Sequence, residues 1–339
     1  MHKGWLCGKL ATEFETFLSQ RHETDTPLFA QIGFFEPHRP FPHDDVEPLP
    51  QDQLTVPPYM PDIREVREDL VDLEASIASA DQAFGRILQA IRTSAIADDT
   101  IILFTAHHGI AFTHAKMTLY DPGLEVPLLL SVPGLEGGRT FDEMISNVDV
   151  MPTLLDLVGL PKADNLHGRS FAPLLHGEPY EPNDVVFGEK TYHTYYDPMR
   201  AIRTDRWKLI ANFEYAPWQE MSPDFNDNAK GYPEVSKALN PPYDQMYHPP
   251  LELYDLQADP YEQTNVLALH SLGDGGADVP EHRQTRDELV CALRQWMQDT
   301  GDPLLDGPMA QGAYRERMQA FKGVVRDEKR DSSYSGLSL

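Results

Sequence analysis

The segment Phe104-Thr105-Ala106-His107-His108-Gly109 is the first place where this sequence offers chemistry. The run Thr100 to Thr105, rich in β-branched and aromatic residues, reads as a central strand buried on both faces, and it ends in two adjacent histidines and a glycine. In layered α/β sheets, ligands bind outside the carboxyl ends of the strands. Imidazoles placed there serve as metal ligands or acid–base groups. The competing reading is a pair of loop histidines held by ordinary hydrogen bonds. A second constellation, Glu36-Pro37-His38-Arg39-Pro40-Phe41, also follows an apolar run, Pro27 to Phe35. A histidine and an arginine held between prolines suit an anion, and a purely structural loop is the alternative. Lys116 lies eight residues beyond His108. If its loop folds back over the strand end it offers a point charge to a sulfate or phosphate oxygen; otherwise it is solvated surface. His114 is close by. Gathered at one sheet edge, His38, His107, His108 and Lys116 would form an anion pocket with metal-ligand capacity.

The elements that must position these residues follow from periodicity. A short helix is expected over residues 6–20 and a buried strand over Pro27 to Phe35. A proline-rich loop runs to Pro61. Ile63, Val66, Leu70, Leu73, Ile77, Ala80, Phe84, Ile87 and Ile91 then recur every three or four residues, which predicts a long amphipathic helix from Asp62 to Thr93. Val126 to Val132 reads as another strand and residues 148–158 as a helix with its proline near the first turn. Beyond about residue 180 short strands are expected at Val185–Phe187, Ala201–Arg203, Trp207–Asn212 and Leu253–Asp255, with Thr204-Asp205-Arg206 as a hairpin turn. A closing helix is expected over 285–298 and a frayed tail from about Arg326. The order implies an α/β fold, with an α/β core over 1–180, a smaller α+β subdomain over 181–325 and a flexible tail over 326–339.

Composition narrows the function classes. The 339 residues carry 28 Lys plus Arg against 54 Asp plus Glu, a formal charge of −26. That charge opposes nucleic acid and anionic membrane surfaces as partners. No window reaches the roughly 18 apolar residues of a membrane span, and the N-terminal residues form no apolar signal-peptide core, so localisation stays open. The two cysteines, Cys7 and Cys291, are too few for a disulfide scaffold; one bridge or two free thiols remain open.

Seven segments stand in one order: FFEPHRPF, FTAHHG followed by Lys116, TLYDPGLEVPLLL, VDVMPTLLDLVGLP, GRSFAPLL, MRAIRTDRWKLI and ELYDLQADPYEQTNV. From about residue 10 to residue 300 the chain resembles the type I sulfatases of the alkaline-phosphatase superfamily, closest to the heparan N-sulfatase branch. The resemblance implies a partial alkaline-phosphatase-like, mostly parallel sheet flanked by helices. It implies hydrolysis of sulfate esters or sulfamates on a sulfated small molecule or glycan. His38 matches the histidine that contacts the sulfate and protonates the leaving group, and Lys116 the basic residue that binds a sulfate oxygen. His108 matches the second member of the family's metal-holding Asp-Asn or Asp-His pair. His193 and Arg200 fall where this branch has residues near the substrate pocket. The implied cofactor is a divalent metal, calcium by resemblance. Family relatives are often periplasmic, secreted or lysosomal.

Two departures shape the expectation. The family nucleophile lies in a Cys-or-Ser-x-Pro-x-Arg segment and is converted to formylglycine; neither cysteine nor any serine here has that context. The family's Asp-Asp metal pair is also absent, so the expectation is a chain without the N-terminal part of the fold, inactive alone, with a missing fragment or a homo-oligomeric copy as partner. His107 stands where the family has aspartate, and imidazole is a poor calcium ligand that suits zinc or other transition metals. Two alternatives follow: a non-catalytic protein binding anionic or sulfated glycans, or a phosphodiester hydrolase of the same superfamily.

Overall fold

The long apolar stripe does form one helix. In the computed structural model, residues 7–21, 26–43, 46–193, 196–214, 248–267 and 279–307 are described. The expected tail from Arg326 lies outside them. The described residues divide into two units, one built from those through Lys116 together with Val126–Gly134, the other from Met117–Glu125 and the described residues from Leu135 onward.

In the first unit, α1 (Cys7–Ser19) packs on α2 (Arg64–Arg92). The α2 stripe starts as expected with Val66, Leu70 and Leu73 buried. It then slides sideways: Ser76, Ser79 and Ala83 are buried while Ile77 is exposed. Small side chains there let α1 approach, and Cys7, Ala11 and Leu18 close a core with Ala83, Ile87 and Ile91. Glu36 is buried and both of its carboxylate oxygens accept from the Cys7 amide at 3.1 Å. A carboxylate at a helix N-terminus satisfies an orphan donor and opposes the positive end of the dipole. A second core joins Phe41, Leu54, Met60 and Phe112 to the start of α2.

Strands β1 (Ile102–Thr105) and β2 (Leu128–Ser131) pair antiparallel, Ile102 opposite Ser131 and Thr105 opposite Leu128. Helix and sheet are layered as expected, with Phe84 of α2 against Phe104 of β1 at 4.9 Å between ring centroids. All strand pairs among the described residues are antiparallel. β1 is half-buried rather than covered on both faces. The run Pro27–Phe35 is extended but unpaired, with Phe29 81 % exposed. Apolar, β-prone residues form a strand only where a neighbour completes the ladder, and none of the described strands lies beside this run.

The second unit is a four-stranded antiparallel sheet, β3 (Val186–Tyr192), β4 (Tyr196–Arg203), β5 (Trp207–Asn212) and β6 (Leu251–Asp255), in that spatial order. The hairpin at 204–206 is closed by the Thr204 amide donating to the Trp207 carbonyl at 2.8 Å. Every residue of β5 is buried. Its period of two divides them. Trp207, Leu209 and Ala211 meet Leu289, Leu293 and Met297 of the closing helix, which runs Pro280–Thr300. Ile210 meets Leu119 and Tyr120 on the other side, beside the short helix Asp121–Leu124. On that same side Lys208, fully buried, pairs with Asp121 and with Glu262 at 2.8 Å. Burial pushes the Glu262 carboxyl up to about 7 even though Lys208 opposes it. For Asp121 burial also raises the pKa, but Lys208 and Arg203 outweigh it and the net direction is down. Both cysteines are free thiols, Cys7 buried and Cys291 exposed. No helix among the described residues is long and apolar enough to cross a membrane.

Candidate active site

Two loops of the first unit carry the candidate residues. The first spans 35–41. Its backbone turns twice, with the His38 amide donating to the Phe35 carbonyl at 2.8 Å and the Phe41 amide to the His38 carbonyl at 2.9 Å. Both prolines follow cis peptide bonds. The second loop leaves β1 and carries His107, His108 and, after a tight turn, Lys116, whose amide donates to the Ile110 carbonyl at 3.0 Å.

The loops meet at one contact. Lys116 Nζ stands 3.2 Å from His38 Nε2. His38 Nδ1 lies 2.7 Å from the Arg39 carbonyl oxygen, which can only accept, so Nδ1 carries the proton and Nε2 presents its lone pair to the Lys116 ammonium. His108 repeats the device: its Nδ1 donates to the Gly109 carbonyl at 2.7 Å. His107 packs on His108 with ring centroids 3.9 Å apart. Its pKa is lowered, first by partial desolvation of the ring, then by the charge of Lys116, and by His38 whenever that ring is protonated. His107 is therefore a neutral imidazole at neutral pH. The structure brings Lys116 to His38; His107 is within electrostatic reach of both, and the His108 ring lies tilted against it at 52°.

Arg39 departs from the anion-binding expectation. It is buried, and its guanidinium is held by Asp69 of α2 and by the Ala111 carbonyl, so it is an internal tie rather than a ligand contact. Asp69 was not singled out by sequence reasoning. The available signal was a carboxylate inside the apolar stripe, between Val66 and Leu70.

His193 and Arg200 belong to the second unit. His193 is exposed just past β3. Arg200 is buried in β4, and all five of its N–H donors have internal acceptors: both carboxylate oxygens of Asp302, the carbonyls of Lys190 and Met199, and Thr191 Oγ1.

Calcium takes about six to eight oxygen ligands. Among the described residues no three His, Cys, Asp or Glu side chains converge in a metal-holding group, and the nearest candidates, His107 and His108, offer nitrogen. By themselves His107 and His108 supply no oxygen ligand of the kind calcium takes.

The sulfatase family profile matches residues 6–160, and the C-terminal profile of N-sulphoglucosamine sulphohydrolase matches residues 108–237. Human N-sulphoglucosamine sulphohydrolase (Homo sapiens) is 29% identical over 333 residues, covering 84% of this chain and 63% of that protein. An ulvan-active sulfatase of Formosa agariphila is 30% identical over 247 residues, covering 71% of this chain and 43% of its own length. A crystal structure of a Bacteroides fragilis protein assigned as a sulfatase superposes with a TM-score of 0.64 at 19% identity, over 88% of this chain and 60% of that one. The chain thus spans between about two-fifths and two-thirds of the length of these curated relatives. With the motif order, the fold and both family regions in agreement, the chain belongs to the sulfatase family, and it is similar to the heparan N-sulfatase branch.

Proposed function

We propose that this chain supplies the oxyanion-binding side of a sulfatase site for sulfated glycans. The observation that carries the reading is the 3.2 Å contact between Lys116 Nζ and His38 Nε2. Two nitrogens on separate loops, one cationic and one able to accept a proton, stand side by side, so that one sulfuryl oxygen can be reached by both. Lys116 provides the charge that a sulfate oxygen needs in the ground state and, more strongly, in the transition state. His38, with Nδ1 fixed to a carbonyl, takes a proton from water at Nε2 before the reaction and delivers it to the leaving oxygen or nitrogen as the bond from that atom to sulfur breaks. The glycan class is supported by the names of the relatives, one acting on N-sulphoglucosamine and one on ulvan.

The sequence contains no Cys-or-Ser-x-Pro-x-Arg segment, so the attacking group is not among these residues. That same observation favours a second reading, in which the pocket binds sulfated glycan without turnover. Titration of the protein with inorganic sulfate and with a sulfated glucosamine tests the oxyanion site. Saturable binding that falls in Lys116→Met supports it, and binding unchanged by Lys116→Met or His38→Ala removes it. Aryl sulfate hydrolysis by the same preparation separates the two readings, since turnover excludes the purely binding one.

A further inference from the structure

The side chain of Arg39 joins three separate pieces of the first unit. Its Nε donates to the Ala111 carbonyl at 2.9 Å and its Nη1 to Asp69 Oδ1 at 3.0 Å, while Nη2 reaches Asp69 Oδ2. The guanidinium lies over the rings of Phe41 at 4.4 Å and Phe112 at 4.8 Å. Arg39 is 0 % exposed at its side chain and Asp69 5 %. The Arg39 carbonyl is the acceptor that sets the His38 tautomer. Ala111 belongs to the turn that ends at Lys116 and is closed by the Lys116 amide on Ile110. One guanidinium therefore holds the backbone next to His38 and the backbone leading to Lys116, and α2 anchors both through Asp69.

We infer that Arg39 and Asp69 are positioning residues, a buried clamp that sets the His38–Lys116 spacing and holds His38 in its Nδ1-protonated form. This deepens the oxyanion reading and rests on it for its functional consequence. The physical reason for arginine is its planar fork. It makes a bidentate pair, a third hydrogen bond at Nε and two ring stacks at once, which a lysine ammonium cannot do. The competing account is that the turns at Phe35–Phe41 hold His38 unaided, since their backbone hydrogen bonds are independent of the guanidinium.

The test uses the full chain labelled with 15N-histidine and long-range proton–nitrogen spectra. In the parent, His38 is expected to show a protonated Nδ1 and an unprotonated Nε2, the reverse of the tautomer that free histidine prefers. Its Nε2 resonance is expected to move in Lys116→Met. The Arg39→Met, Asp69→Leu double variant replaces a buried ion pair by apolar groups, a change that commonly leaves folding intact. With its fold verified by thermal melting, it is expected to show mixed His38 tautomers, no His38 response to Lys116→Met, and sulfate binding weaker by about tenfold or more. A folded double variant that keeps the parent His38 signature and its response to Lys116→Met overturns the clamp. If that variant does not fold, Arg39→Lys serves, because it keeps a charge opposite Asp69 and loses the fork. Mixed tautomers there support the clamp and an unchanged signature overturns it. Failure of the parent to bind sulfate removes the oxyanion reading, while the tautomer spectra judge the clamp separately.

Discussion

Lys116 and His38 are 78 residues apart in sequence and 3.2 Å apart at Nζ and Nε2. The contact joins a cation to an imidazole lone pair; a bound oxyanion, with one proton taken up at Nε2, replaces it with two charge-assisted hydrogen bonds, one from each nitrogen. Hydrogen bonds to a charged group contribute about 1.5–3 kcal/mol. Lys116→Met is therefore expected to weaken sulfate binding by about 10- to 100-fold with little change in melting temperature, as read by calorimetric titration. Binding of equal strength in parent and variant would place the anion elsewhere.

The Asp121–Lys208–Glu262 cluster makes stability depend on pH. The Glu262 carboxyl sits at about 7 in the folded protein against 4.5 as its ordinary value, because burial disfavours its charge. The folded state then holds a proton that the unfolded state has released between those values. Its contribution is full below about pH 4.5 and is lost as pH rises toward 7. Asp121 works in the opposite sense and is lost only as pH falls below the ordinary aspartate range. Glu262→Gln is expected to flatten the decline between pH 5 and 7 in denaturant midpoints, while Lys208 keeps Asp121 as its partner. A variant with the same pH slope as the parent would show that another group titrates.

Gly168 lies against the backbone of Val148 and Asp149, and an added Cβ would overlap the Val148 carbonyl. The Asp149 carboxylate beside it accepts from the Ser146 and Arg169 amides and from Asn183 Nδ2. Gly168→Ala has no flexible side chain to displace and must move backbone. A loss of about 1–3 kcal/mol is expected, seen as a melting temperature lower by several degrees. A variant as stable as the parent would mean that the 146–149 segment yields without cost.

How legible the molecule was depended on whether the determinant was local. The α2 helix, the closing helix and the Thr204–Arg206 hairpin follow from apolar period and turn chemistry, and the structure has them within a few residues. The run Pro27–Phe35 did not follow, because a strand needs a partner and its own residues cannot supply one. Ile77 was expected inside and is outside, because the small residues Ser76, Ser79 and Ala83 let α1 approach on their own side of α2.

By itself the sequence determined the family, through seven motifs in order, and with it the residue types His38, Lys116, His107 and His108 at loop positions. The tertiary structure alone decided what those residues face. An arginine between two prolines reads as an anion ligand until Asp69, thirty residues on, and the Ala111 carbonyl occupy its donors. The tautomer of His38 likewise rests on one carbonyl and one ammonium. Local pattern encodes which side chains are buried, whereas the partner that satisfies a buried charge is chosen by the packing of segments far apart in the chain, and only the folded arrangement makes that choice.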